Sequence, residues 1–131
     1  MKKTILLTGA TDGIGLETAK MLVPMGHTVL LHGRNPAKLE KVAETLAALP
    51  DGGSVESYVA DLSNMADVEA LAQAVTEKHT QLDVLINNAG VLKTSTPVTQ
   101  EGLDVRFVVN TFAPYLLTQR LLPLMRSDEA L

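Results

Sequence analysis

A short aliphatic run that breaks into glycines and then turns helical constrains this chain more than any other stretch. Ile5, Leu6 and Leu7 have no helical spacing and suit a strand buried on both faces. They lead into Thr8-Gly9-Ala10-Thr11-Asp12-Gly13-Ile14-Gly15, after which Ile14, Ala19, Leu22 and Val23 recur at helical spacing, predicting one buried face. In such a turn Gly9 can take backbone angles closed to other residues. Gly13 lets main chain approach a ligand closely, and Gly15 lets the helix lie near the strand. The first amides of a helix have no internal acceptor and sit at its positive end, so they suit a phosphate. An ordinary glycine-rich strand-to-helix turn is the plainer reading; the strand–turn–helix context favours nucleotide binding.

The rest of the chain alternates in the same way. A stop at Pro24-Met25-Gly26 precedes an aliphatic strand at 28–31, and Gly33-Arg34-Asn35-Pro36 turns into a helix with Leu39, Val42, Ala43, Leu46 and Leu49 on one side. Pro50-Asp51-Gly52-Gly53 reads as a loop before a third strand at 55–60. Ser63 or Asn64 can cap a helix whose apolar face is Val68, Leu71, Ala72 and Val75, and a fourth strand follows at 82–86. Strands alternating with helices predict βαβ units and a parallel sheet. Residues 102–125 predict a long helix with Leu103, Phe107, Asn110, Pro114, Leu117, Leu121 and Leu124 along one stripe. Pro114 has no N–H to give the carbonyl of Asn110, so the helix is expected to bend there.

Composition narrows the function classes. The 131 residues suit a single domain, 46% of them apolar but only 3% aromatic, so the core must be aliphatic. A net charge of −4 without a basic run argues against nucleic acid. Cysteine is absent and the three histidines are scattered, so no metal site is expected. Met1-Lys2-Lys3 and its aliphatic run superficially resemble a secretion signal, but the run breaks at Thr8-Gly9, short of the ~7–15 residues such a core needs. It reads as the first strand of a cytoplasmic protein with no membrane partner.

Thr8-Gly9-x-x-x-Gly13-x-Gly15, together with Asn87-Asn88-Ala89-Gly90 after the fourth strand, resembles the short-chain dehydrogenase/reductase family. The resemblance implies an α/β fold, a Rossmann-like doubly wound parallel sheet of strand order 3-2-1-4. It implies a dinucleotide cofactor with Gly9, Thr11, Asp12, Gly13, Ile14 and Gly15 around the pyrophosphate. Asp61 and Leu62 would meet the adenine, and Asn88, Ala89 and Gly90 would pass behind the ribose. The plainer reading of Asp61 is a helix cap. Asn110 matches the family's asparagine at a helical kink, whose main-chain carbonyl binds a water of the proton relay. The plainer reading there is a proline kink. Residues 31–35 contain Arg34 and no acid, and Lys38 lies one turn on, so NADP is expected over NAD. Asp12 cuts against this, since NADP-preferring relatives often carry a basic residue at that place.

One part of the family pattern is absent. Its chemistry needs Tyr-x-x-x-Lys, yet Tyr115 is followed four residues later by Gln119, and Tyr58 by Leu62. The chain therefore resembles the N-terminal, cofactor-binding half of a family member, with Ser127-Asp128-Glu129-Ala130-Leu131 standing where the fifth helix should lead to strand five. In the order 3-2-1-4 the fourth strand is an apolar edge, and Phe112, Leu116 and Leu122 lie off the main helical stripe. A homo-oligomer, or cover from further chain, is expected. Two readings stay open: the cofactor-binding portion of an NADP-dependent oxidoreductase acting on a carbonyl or alcohol, and a non-catalytic nucleotide-binding or association module. Residues 99–102 and 116–118 also resemble retinol-dehydrogenase-like members. The epimerase and dehydratase branch fits poorly, because its glycine turn is shorter.

Overall fold

A computed structural model describes residues 2–50, 52–91 and 94–125. Four parallel strands, β1 (Thr4–Leu7), β2 (Thr28–Gly33), β3 (Ser54–Val59) and β4 (Val84–Ile86), form one sheet in the order β3-β2-β1-β4. Register pairs Leu6 with Leu30 and with Leu85. The helices α1 (Gly13–Leu22), α2 (Pro36–Ala47) and α3 (Met65–Lys78) are the crossovers.

Alternation along the two central strands sorts the core into two layers, as the period of two requires. Leu7, Val29 and Leu31 pack with Ala19 and Val23 of the first crossover and with Leu39 and Leu46 of α2. Leu6 and Leu30 face the other side, against Val68, Leu71 and Val75 of α3 and the last helix. Both faces are covered, so β1 and β2 read as unbroken aliphatic runs. β3, at one edge, alternates instead: Ser57 and Val59 are exposed, while Glu56 and Tyr58 are half-buried.

The local signals explain where the elements stop. After α1 the chain tightens through a 3-10 turn (Val23–Met25) and leaves at Gly26 with φ of 92°. Asn35 caps α2, accepting the Lys38 N–H, with Pro36 in the first turn. Of the two candidate caps for α3 it is Asn64 that serves, accepting from the Ala66 and Asp67 amides at 2.9 and 3.3 Å. Asp51, in the loop expected before β3, and Ser127 to Leu131 lie outside the described residues.

The last helix corrects the expected stripe. One turn of α4 (Val105–Phe107) passes into a π-helical turn (Val108–Phe112) and then α5 (Ala113–Met125). Ala113 N–H bonds the carbonyl of Val108, five residues back. The buried positions are Val105, Val108, Val109, Ala113, Leu117 and Leu121, with a spacing of four from Val109 onward. Leu103, Phe107 and Asn110 are exposed, contrary to the 3.6-residue pattern. The wider turn just before Pro114 rotates the face by about one residue, which a straight-helix reading cannot anticipate. Ile14 is also corrected: it is 79% exposed, because the first turn of α1 points away from the core.

Candidate functional site

The strand order reverses between β1 and β4, and the carboxyl ends of all four strands open into one cleft of about 900 Å³. In open parallel sheets this is where ligands bind. Its floor is the glycine turn, its sides the segments after β2, β3 and β4, and residues 94–101 overhang it.

The turn is held by contacts from three directions. Gly9 has φ of 66°, and a Cβ there would meet the Ala89 backbone at 2.9 Å. A Cβ on Gly15 would collide with the Gly9 carbonyl oxygen and reach the Asn88 amide nitrogen at 2.6 Å. Gly13 differs: its φ is 56°, yet nothing lies within 4 Å of its Cβ position. So Gly9 and Gly15 are required for space, and Gly13 for its backbone angle alone. The first helical bond of α1 is Leu16 N–H to the Asp12 carbonyl at 3.2 Å. The amides of Gly13, Ile14 and Gly15 precede it, at the positive end of the helix.

The two sequence motifs meet through Thr8, which is 1% exposed. Its hydroxyl accepts the Asn88 and Ala89 N–H groups, each at 3.0 Å, and donates to the Ile86 carbonyl at 3.4 Å. Asn88 Nδ2 in turn donates to the Gly9 carbonyl at 3.1 Å. Asn87 turns the other way and donates to Thr118 on α5.

His32, near the end of β2, closes the turn from the side of that strand. Its Nδ1 accepts the Gly9 N–H at 3.0 Å and its Nε2 lies 2.9 Å from the Ala60 carbonyl. An acceptor at Nδ1 and a donor at Nε2 define a single neutral tautomer. Burial lowers its pKa from 6.5, against the opposing pull of the Ala60 carbonyl and the Asp61 charge. Nothing in a lone strand-end histidine announced this bridge.

Charge is arranged around the rim. Arg34 follows β2 and lines the cleft, with no acid among residues 31–35. Asp12 also lines it and is paired with Lys38 of α2, so the acid in the glycine turn carries its own cation. Asp61 accepts from both the amide and the hydroxyl of Ser63, at 2.9 and 2.7 Å, and its own N–H is taken by Asp67.

Thus Gly9, Thr11, Asp12, Gly13, Ile14, Arg34, Asp61, Leu62, Asn88, Ala89 and Gly90 line one cleft, and Gly15 packs against Gly9 and Asn88 of its lining. Asn110 does not line the cleft; its side chain binds the main chain of Val91, which does. Neither Tyr58 nor Tyr115 lines it. Thr8, His32 and the overhanging segment at 94–101 were not among the expected site residues. Thr8 could have been found from its place beside Gly9, and the overhang from its run of Thr and Ser.

A family model described as short chain dehydrogenase matches residues 3–130. Retinol dehydrogenase 14 of Mus musculus is 37% identical over 96% of this chain, and Polyprenol dehydrogenase of Homo sapiens is 34% identical over 96%. The chain spans 41% and 38% of their respective lengths. Among solved structures, a metagenomic short-chain oxidoreductase in complex with NADP superposes with a TM-score of 0.81 at 36% identity. That match covers 94% of this chain and 56% of the other. The Pseudomonas aeruginosa RhlG/NADP active-site complex gives 0.81 at 30% identity, over 96% of this chain and 50% of its own.

Proposed function

Because the chain belongs to the short chain dehydrogenase family, we propose that its cleft binds NADP(H) and that it forms the cofactor-binding portion of an oxidoreductase acting on a carbonyl or alcohol. The carrying observation is Arg34, a cation on the cleft wall at the end of β2 where no carboxylate stands to take free ribose hydroxyls.

The residues present fit a dinucleotide. Gly13, Ile14 and Gly15 offer amides at a helix N-terminus, which is the donor set a pyrophosphate requires. Asp61 is an acceptor for an adenine amino group. Arg34 presents a planar fork of donors suited to a ribose phosphate. Asp12 would repel an anion, but its pairing with Lys38 offsets that charge. When bound, the nicotinamide would supply or accept the hydride. The main-chain carbonyl of Asn110 would hold a water, as the family resemblance implies, while the side chain fixes Val91. Solved relatives that carry NADP or NADPH support the same reading. Calorimetric titration of both cofactors tests it: NADP(H) should bind about tenfold or more tighter than NAD(H), a charge-assisted contact being worth about 1.5–3 kcal/mol. Equal affinities, or an unchanged ratio in Arg34→Asp, would defeat the preference.

A second reading, a nucleotide-binding module without chemistry of its own, is favoured by the tyrosines. Tyr58 lies on β3 with its hydroxyl bonded to Glu56, and burial together with that carboxylate pushes its pKa far upward. Tyr115 stands exposed on α5 with Gln119, not Lys, four residues on. A positioned acid–base group contributes about 10²–10⁴-fold. The 131-residue chain should therefore not oxidise NADPH with a panel of aldehydes and ketones. Turnover abolished by Tyr115→Phe would show this second reading to be mistaken.

A further inference from the structure

His32 is a buried, titratable group for which the cofactor reading has no use, and it touches the phosphate-binding turn directly. We propose that neutral His32 is a positioning residue for that turn, so that its protonation weakens dinucleotide binding. The proposal rests on the cleft being a dinucleotide site.

One residue holds two successive amides of the turn. The imidazole Nδ1 takes the Gly9 N–H at 3.0 Å, and the main-chain carbonyl of His32 takes the Ala10 N–H at 2.9 Å. The ring is itself fixed, 3% exposed and anchored through Nε2 to the end of β3. Gly9 cannot shift freely, because Ala89 lies against its Cα and its carbonyl receives Asn88 while abutting Gly15. A rotation of the Gly9 peptide is therefore transmitted to Gly15 and the amides opening α1. Protonation converts Nδ1 into a donor and sets it against the Gly9 N–H, so the bond is lost and the two hydrogens repel.

Five charged groups surround this arrangement, Glu101 of the overhanging segment among them. Asp61, just past β3, favours the imidazolium, whereas burial opposes it. Asp12 in the turn and Arg34 beyond β2 line the same cleft, and Lys38 of α2 is paired with Asp12. A bound pyrophosphate would add negative charge, so a histidine acting only through its field would strengthen binding in acid. The positioning role gives the opposite sign, and the sign separates the two.

The test is titration of the full chain with NADH and NADPH from pH 8 to pH 5, in the wild type, His32→Asn and His32→Leu. NADH has no phosphate monoester titrating in this range, so its curve isolates the protein. Affinity for NADH should fall about threefold to tenfold on acidification below pH 6.5, the loss of one hydrogen bond. His32→Asn keeps an acceptor without a titrating ring and should restore binding while flattening the profile. His32→Leu should be weak at every pH. In the free chain, the Gly9 amide proton resonance should move with His32 protonation, which supplies a readout independent of cofactor. Binding that is flat with pH, strengthens in acid, or keeps its step in His32→Asn overturns the proposal alone. No binding of either cofactor at any pH overturns it together with the dinucleotide reading.

Discussion

Asn110 grips Val91 by both of its main-chain groups: the Val91 N–H donates to Oδ1 at 2.8 Å, and Nδ2 donates to the Val91 carbonyl at 2.9 Å. A side-chain amide thus replaces a strand partner just where β4 has ended, and ties the wall of the cleft to the π-helical turn. Asn110→Ala should cost about 1 kcal/mol, the low end for two hydrogen bonds near solvent. Urea unfolding measures that cost, and faster hydrogen exchange at the Val91 amide locates it. Unchanged exchange there would mean the clamp holds nothing.

The glycines of the turn should separate by mechanism. Gly15→Ala forces a Cβ onto the Gly9 carbonyl and should destabilise by about 1–3 kcal/mol or more. Gly13→Ala meets open space and carries only the strain of a positive φ, about 1–2 kcal/mol. The alanine at 15 should disturb Gly9 and Asn88 resonances; the one at 13 should leave them in place. Equal disturbance by both would contradict the packing described.

Acid should weaken the fold in two windows. His32 has a folded pKa below 6.5, so the unfolded chain takes up a proton that the folded chain resists, and stability falls as pH drops below 6.5. Glu56 acts lower. Burial alone would raise its pKa, but hydrogen bonds from His79 and Tyr58, with the charges of His79 and Lys78, bring it below 4.5. Its contribution is present above 4.5 and lost as pH falls through the folded value. Urea midpoints against pH should lose the upper step in His32→Asn and the lower one in Glu56→Gln. A step surviving its own substitution would assign it elsewhere.

Association is expected from the last helix. Phe107, Phe112, Tyr115 and Leu122 are exposed among the described residues, the two phenylalanines edge to face at 4.6 Å. β4 is an edge strand with Val84, Leu85 and Ile86 only half-buried. Sedimentation should show dimers or larger species, reduced in a Phe112→Asp, Leu122→Glu variant. A dilute wild-type monomer that binds no apolar dye would refute this.

The aliphatic strands, the parallel sheet and the glycine turn were legible because each has a local signature: unbroken Val and Leu, βαβ alternation, and glycines at fixed spacing; the strand order followed only from the family resemblance. Three things were not. Ile14 fits a helical face, but the first turn of α1 opens on the cleft instead of the core. The stripe through Phe107 and Asn110 fails because the π-helical turn adds a residue, with only Pro114 hinting at that widening, and Leu103 fails because the helix begins after it, at Val105. His32 is invisible because its partners, Gly9 and Ala60, are distant in sequence and offer only main-chain atoms.

The hydroxyl of Thr8 has a consequence in time. Its partners, Asn88 and Ala89, belong to a segment made much later than the turn they complete. A chain emerging from its N-terminus therefore carries the glycine sequence long before it has a site. The turn gains its back wall only when β4 docks beside β1 and closes a long loop, and each doubling of loop length adds about 0.6 kcal/mol to that closure. Ligand capture must wait for this late pairing, so the cleft can serve as a report that the sheet has finished assembling.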